Sequence, residues 1–373
     1  MLMVIDQLAP PELIQSSSQL NQLVDELNRQ PRIAVDTESN SLHAYRERVC
    51  LIQFSTVEKD YVLDPLMFDD LDILGPIFAN PEIEKVFHAV EYDLICLRRD
   101  YGFKFANLFD TMQAGRILGR KQAGLDRLID EKFSIKVNKR FQKADWGARP
   151  LSHDLIMYAR LDTHFLIPLR DLLKAELEEK GLWLLAQEDF SIACHTNGSK
   201  PKAELPSWIH FSNRRDLTLR DLTVLNELLA FREQIAARLD RPPFKVLDDD
   251  RLIEIAKTKP SSVNELEVEL TSRQIQNWGS LVLEAIQRGM QSPLVKRISP
   301  ERPSDAYVKR LDKLKNWRKK IAAEMDVESD VVLPRSLLIA LAEHGPQEIE
   351  RVMECSPWRL EHFGEQIAKA LGG

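Results

Sequence analysis

The sequence predicts an α/β domain, a mixed sheet flanked by helices, followed by two all-α helical domains. Three observations carry this. The strand-like runs Arg32–Glu38, Val49–Ser55 and Tyr61–Asp64 lie too close together to hold crossover helices, so they form an antiparallel meander. The chain then alternates, with a strand over Lys85–Ala89, a helix over Glu91–Tyr101 and a further helix starting at Asp110, as parallel β–α units do. Beyond a polar stretch near residue 200 the chain reads as helical and repeats itself.

Ser16–Ser18 followed by Leu20, Leu23, Val24 and Leu27 predicts a capped amphipathic helix that Pro31 ends. The next stretch, RIAVDTESN over Arg32–Asn40, is a short apolar strand that emerges into Asp36 and Glu38. Alternation puts these two carboxylates on one face, with Thr37 pointing the other way. Two acids that close repel unless a cation lies between them, and a divalent metal is the usual answer. Alone, an acid pair of this spacing is more often a solvated turn. Asp93 falls in the first turn of the helix after the Lys85 strand, near His88 and Tyr92, where by itself it need only complement the helix dipole. Asp110 is read as a helix cap. Ser152–Leu173 predicts one long helix with a serine cap and a kink at Pro168. On it Tyr158 and Asp162, four apart, share a face: either a core tyrosine and a surface acid, or a hydroxyl and a carboxylate delivered together into a cleft. Ligands of open α/β sheets gather at strand ends where strand direction changes, which makes the Asp36 strand the expected centre.

The polar text around Cys194–Ser207, with Pro201 and Pro206, reads as a linker. Beyond it Phe231–Lys257 aligns without gaps on Trp317–Glu343, pairing Phe231 with Trp317, Ile235 with Ile321 and Val246-Leu247 with Val332-Leu333. After one deletion Trp278-Gly279 falls on Phe363-Gly364. The expected organisation is a first domain over residues 1–193, a linker over 194–208, helical domains over 209–293 and 305–373, and a second linker over 294–304.

With 373 residues, 44% of them hydrophobic, the chain can bury a sizeable core and hold two or three domains. No apolar run of membrane-spanning length and no secretory leader pattern is present, so a soluble, cytoplasmic protein is expected. Cys50, Cys96, Cys194 and Cys355 lack the spacing of a zinc site or a disulfide framework. The net charge of −7 does not advertise a polyanion partner, so contacts to nucleic acid need local basic patches. Lys296–Lys320 is one, with ten Lys or Arg against three Asp or Glu. Such a run is usually a solvated helical face, but it could hold phosphates.

Taken jointly, Asp36, Glu38, Asp93 and Asp162, with Tyr158 one turn before the last acid, resemble the DEDDy class of 3′-to-5′ exonucleases, which have an RNase H-like fold. The motifs are DTE, the H-A-x-x-x-D stretch ending at Asp93, and Y-A-R-L-D. His88 stands where the polymerase-proofreading members carry asparagine. Histidine followed by alanine, and the run QKADWGARPL over Gln142–Leu151, are similar to the ribonuclease D family. The two helical repeats resemble HRDC domains, and tandem copies after a DEDDy domain are the arrangement of that same family.

The resemblance implies a 3′-to-5′ exoribonuclease that releases 5′-mononucleotides and acts on tRNA precursors and structured RNA 3′ ends. Two Mg²⁺ or Mn²⁺ ions are implied as cofactors, since hard oxygen ligands select such cations. Asp36 would bridge both ions, Glu38 and Asp162 would hold the one carrying the nucleophilic water, Asp93 would serve the other, and Tyr158 would orient that water. His88, Gln142, Lys143, Trp146 and Arg149 are candidates for supporting the site or the RNA strand, though each could equally be structural. The alternatives are a DNA 3′-5′ exonuclease on the same scaffold and an inactive nucleic-acid-binding scaffold. All four carboxylates and Tyr158 are present, which disfavours the latter.

Overall fold

A six-stranded mixed sheet organises the first half of the chain in a computed structural model that describes residues 8–138, 140–195, 207–296 and 302–372. Its strands are β1 (Glu12–Ile14), β2 (Arg32–Ser39), β3 (Val49–Ser55), β4 (Asp60–Leu63), β5 (Glu84–Phe87) and β6 (Leu108–Asp110), in the order β1-β4-β3-β2-β5-β6. β2, β3 and β4 form the expected antiparallel meander, while β5 joins β2 in parallel and β6 joins β5 in parallel. Strand direction therefore changes at β2. β1 and β6 have three residues each, too few to show a period in the sequence.

Alternation along β2 sends its side chains to two different layers. Ile33 and Val35 pack with Leu23 and Leu27 of α1 (Ser17–Asn28) and, beyond the short α2 (Gly75–Ala79), with Leu94 and Leu97 of α3 (Glu91–Tyr101). Past α4 (Thr111–Ile117) and α5 (Leu125–Phe133), the opposite face is covered by α6 (His153–His164) and α7 (Leu166–Glu179). There Ala34 meets Leu166 and Leu169, and Leu51 meets Ala159. The expected single helix over Ser152–Leu173 is thus two helices. The break falls at Phe165 and not at Pro168, because a proline ring collides with the carbonyl four residues back, here that of His164, and is tolerated only in a first turn. Ser152 does cap α6, accepting from the Leu155 N–H.

α8 (Trp183–His195) closes the first domain. Most of the expected 194–208 linker, residues 196–206, lies outside the described residues, as do residues 297–301 of the second linker and basic run. The repeats themselves match element by element. α9 (Leu219–Leu239), α10 (Pro243–Val246) and α11 (Asp249–Thr258) recur 86 residues later as α13 (Asp305–Met325), α14 (Ser329–Val332) and α15 (Arg335–His344), the first copy having ended with α12 (Ser272–Gln291). After α16 (Ile349–Val352), α17 (Pro357–Leu371) starts 85 residues after α12 does, which is the deletion read in the sequence. Both copies use the same internal clamp: Arg232 donates to the Leu247 carbonyl and Arg318 to that of Leu333.

The described parts of Met1–Ser39, Val49–Gly198 and Pro303–Gly373 form one compact unit, and Asn40–Arg48 with the described part of Ser199–Arg302 forms the other. In the second unit Tyr45 packs against the core of the first repeat and its N–H donates to Asp240. In the first unit the second repeat is docked on α8. The Arg359 guanidinium, 0% exposed, donates to Glu188 and Asp189, each at 2.6 Å, and to the Val331 and Val332 carbonyls. Arg116 of α4 pairs with Glu328 and Asp330. At Gly119 the backbone has φ +85° and an added Cβ would lie 2.8 Å from the Asp326 carbonyl oxygen, so only glycine fits. Among the described residues no helix is long and apolar enough to cross a membrane.

Candidate active site

Asp36 and Glu38 emerge near the end of β2 on the face that α6 covers, and α6 delivers Asp162 to the same place. One carboxylate oxygen from each of the three lies within 4.8 Å of the others. A β-bulge between Glu38 and Ser39 ends the regular pairing directly after the second acid.

Asp93, 6% exposed, reaches the site from the first turn of α3. It is outside the three-acid group, and its Oδ1 instead accepts from the Thr37 hydroxyl at 2.5 Å. Thr37 does point away from Asp36 and Glu38, as alternation requires, and that is how it meets Asp93. Nothing in the sequence signalled this bond. Asp110 also does more than cap: beyond the Met112 and Gln113 N–H groups of α4, it accepts from Ala89 at 2.9 Å and Val90 at 3.1 Å. It thereby fixes the turn at Ala89, φ +60°, that launches α3 and aims Asp93.

The other predicted residues separate into two groups. Tyr158 is half-buried on α6, with Trp146 stacked on its ring at 6.2 Å and Phe141 edge-on at 5.7 Å. Trp146 is buried, while Gln142 and Lys143 are exposed on the same loop. Arg149, a candidate for supporting the site or the RNA strand that could equally be structural, is turned inward. Its five N–H donors go to both Asp64 oxygens and to the carbonyls of Cys50, Trp146 and Ala148, so none is left for a phosphate. His88 Nδ1 lies 2.9 Å from the Thr111 hydroxyl, which itself donates to the Phe87 carbonyl. Through Thr111, His88 ties the end of β5 to the start of α4.

The electrostatics follow from crowding four acids together, three of them half-buried and Asp93 buried. Burial, then the charges of Asp93, Asp162 and Glu38, raises Asp36 well above its ordinary value. Burial with Asp162 and Asp93 pushes Glu38 up to about 9. Asp162 rises to about 7 through burial and Asp93. Asp93 also rises to about 7, since burial outweighs the opposing Thr37 hydrogen bond. Burial and the charges of Asp162, Glu38 and Asp36 raise Tyr158, which stays a neutral hydroxyl. Near neutral pH such a group keeps part of its protons unless a cation offsets the repulsion. An all-oxygen donor set with this much repulsion to relieve fits a hard divalent ion.

Residues 11–178 match the 3′-5′ exonuclease family, and residues 221–286 and 308–371 each match the HRDC domain. The exosome complex exonuclease RRP6 of Saccharomyces cerevisiae is 33% identical over 268 residues, covering 68% of this chain and 37% of that protein. Exosome complex component 10 of Homo sapiens is 32% identical over 260 residues, covering 67% and 29%. The chain thus spans about a third of the length of these relatives. The catalytic core of RRP6 from Trypanosoma brucei superposes with a TM-score of 0.68 at 28% identity, covering 79% of this chain and 83% of that one. Escherichia coli RNase D, an exoribonuclease involved in structured RNA processing, gives 0.70 at 23% identity over 97% and 99%, a likeness of fold that includes both helical repeats.

Proposed function

Since a 3′-5′ exonuclease domain followed by two HRDC domains places the chain in the ribonuclease D and RRP6 type of 3′-5′ exonucleases, we propose that it is an exoribonuclease that trims tRNA precursors and other structured RNA 3′ ends. The observation that carries the proposal is the convergence of Asp36, Glu38 and Asp162 within 4.8 Å, with Tyr158 one turn before Asp162. RNA is taken as the substrate on the strength of the relatives at 32–33% identity, which are named as an exosome complex exonuclease and an exosome complex component.

The site residues suit two divalent cations, Mg²⁺ or Mn²⁺: Asp36 would serve both, Glu38 and Asp162 would hold one and Asp93 the other. Bound there, the cations supply charge neutralisation at the attacking and leaving oxygens of the phosphodiester. In the reaction a water oxygen attacks phosphorus and the bond to the 3′ oxygen breaks. A shortened strand with a 3′-hydroxyl and a 5′-mononucleotide result. Tyr158, neutral at working pH, orients the attacking water by hydrogen bonding and does not act as its base. Trp146 and Phe141 hold the Tyr158 ring, and Arg149 holds their loop. Gln142 and Lys143, exposed on that loop, are assigned to the RNA strand. The lysines of α13 that lie exposed, Lys309, Lys313, Lys315, Lys319 and Lys320, form a second surface for phosphates. The cytoplasm suits four cysteines that form no disulfide among the described residues.

The test is the full chain on matched RNA and DNA oligomers labelled at either end, with Mg²⁺ and with excess chelator. RNA shortened from its 3′ end only with Mg²⁺ is expected. Preference for DNA selects the alternative substrate, and undiminished activity in chelator removes the cation assignment.

A further inference from the structure

Gln53 sits on β3 directly opposite Asp36, and opposed residues of an antiparallel ladder project from the same face. Leu51 and Ser55, two residues to either side, share that face and mark where α6 crosses the strand. Leu51 packs with Ala159, and the Ser55 hydroxyl lies 2.7 Å from that of Thr163. Ala159 and Thr163 are one helical turn apart, and Asp162 adjoins Thr163. Gln53 therefore lies between the strand that carries Asp36 and the turn of α6 that carries Asp162. It is 0% exposed, and neither its Nε2 nor its Oε1 has a hydrogen-bond partner. An amide brings two donors and an acceptor, and burying one unpaired costs about 1–3 kcal/mol. An unbranched apolar residue of the same size would be more stable in this position, so the amide is explained by something other than packing.

We propose that Gln53 is a positioning residue of the active site, its Nε2 donating across the ladder to the Asp36 carboxylate when a divalent cation is bound. The inference rests on reading Asp36, Glu38 and Asp162 as the cation site. A carboxylate that gives one oxygen to a cation has a second oxygen to be held, and a donor there fixes the orientation of the ligand. Loss of such a partner typically weakens metal binding 10–100-fold. Of the uncharged side chains, an amide suits the task because it donates without adding to the repulsion among the acids.

Calorimetric titration of the full chain with Mn²⁺ tests this, comparing wild type with Gln53→Met, which keeps the volume and removes both donors. The expected result is a 10–100-fold weaker Mn²⁺ affinity with a cation-free melting temperature equal to or above that of wild type. Should Gln53→Met not fold, Gln53→Asn, whose amide is one methylene short, carries the same expectation for affinity. If wild type itself takes up no Mn²⁺, the cation site falls and this inference with it. If wild type binds and the variants bind within about threefold of it, the positioning role alone is overturned. A drop in cation-free melting temperature with unchanged Mn²⁺ affinity assigns Gln53 to packing and overturns the role equally.

Discussion

Replacing Arg359 by methionine should cost about 3–5 kcal/mol, the penalty for breaking a buried ion pair and leaving its partners charged. The structure puts the effect within this range for identifiable reasons. Arg359, Glu188 and Asp189 have side-chain exposures of 0%, 2% and 8%, so water screens little of the interaction. Without the guanidinium, Glu188 keeps the Trp358 N–H at 2.7 Å and the Arg359 N–H at 3.3 Å, but Asp189 keeps only the Gln113 amide at 2.7 Å. Two buried carboxylates would then share three donors. At roughly 2–4 °C per kcal/mol for a unit of this size, the melting temperature should fall by about 6–20 °C. Scanning calorimetry measures it, and neutralising the stranded acids with Glu188→Gln and Asp189→Asn should recover most of the loss. A fall of less than about 3 °C in Arg359→Met would refute the account of this interface.

Asp36→Asn should lower kcat by about 10³-fold or more, because it removes a charge shared by the proposed cations, and a rate within tenfold of wild type would count against the shared role. Glu38 at about 9 and Asp93 and Asp162 at about 7 hold protons in the folded protein that the unfolded chain has already released above about pH 4.5. Cation-free stability should therefore decline as pH rises from about 5 to 9, and saturating Mg²⁺ should flatten the decline by taking the place of those protons; a flat cation-free curve of melting temperature against pH contradicts the assignment. Reversing Lys309, Lys313, Lys315 and Lys319 to glutamate should weaken binding of a tRNA precursor more than of a short oligomer and lower the salt slope by roughly one unit per lost phosphate contact. Equal weakening on both substrates would instead indicate a general effect on the fold.

Period and spacing made much of this architecture legible. The meander, the α3 boundaries and the repeat each depend on local pattern, and the 86-residue offset of Phe231 on Trp317 reappears in the helix ends themselves. For the acids at positions 36, 38, 93 and 162 local pattern supplies only placement, at a strand end, in a first helical turn and one turn from a hydroxyl, and the resemblance to DEDDy exonucleases is what joins them into one candidate site. What escaped were pairings between distant residues of ordinary type. Thr37 gives no sign that its hydroxyl meets Asp93, and Asp110 reads as a simple cap although it also holds the Ala89 turn. For Arg149 the sequence leaves open a role in the site, on the RNA strand or in the fold, and its partners, Asp64 and three carbonyls, give no local sign of themselves. The Pro168 expectation failed for a local reason: a first-turn proline starts a helix as readily as an interior one bends it.

The clamp between Arg359 and Glu188 joins residues 171 positions apart, and this has a bearing on synthesis. At about 5–20 residues per second, a ribosome that has completed α8 needs roughly 10–30 s more to deliver the arginine. Throughout that interval Glu188 lacks its partners, Asp189 has only the Gln113 amide, and the apolar surface that later receives Val331 faces water. The nascent first domain must therefore remain soluble with its docking face open while the whole of the first repeat emerges. A mutation that strengthens this face with apolar groups would stabilise the finished protein and, on the same reasoning, make the half-made chain more prone to associate with its neighbours on a polysome.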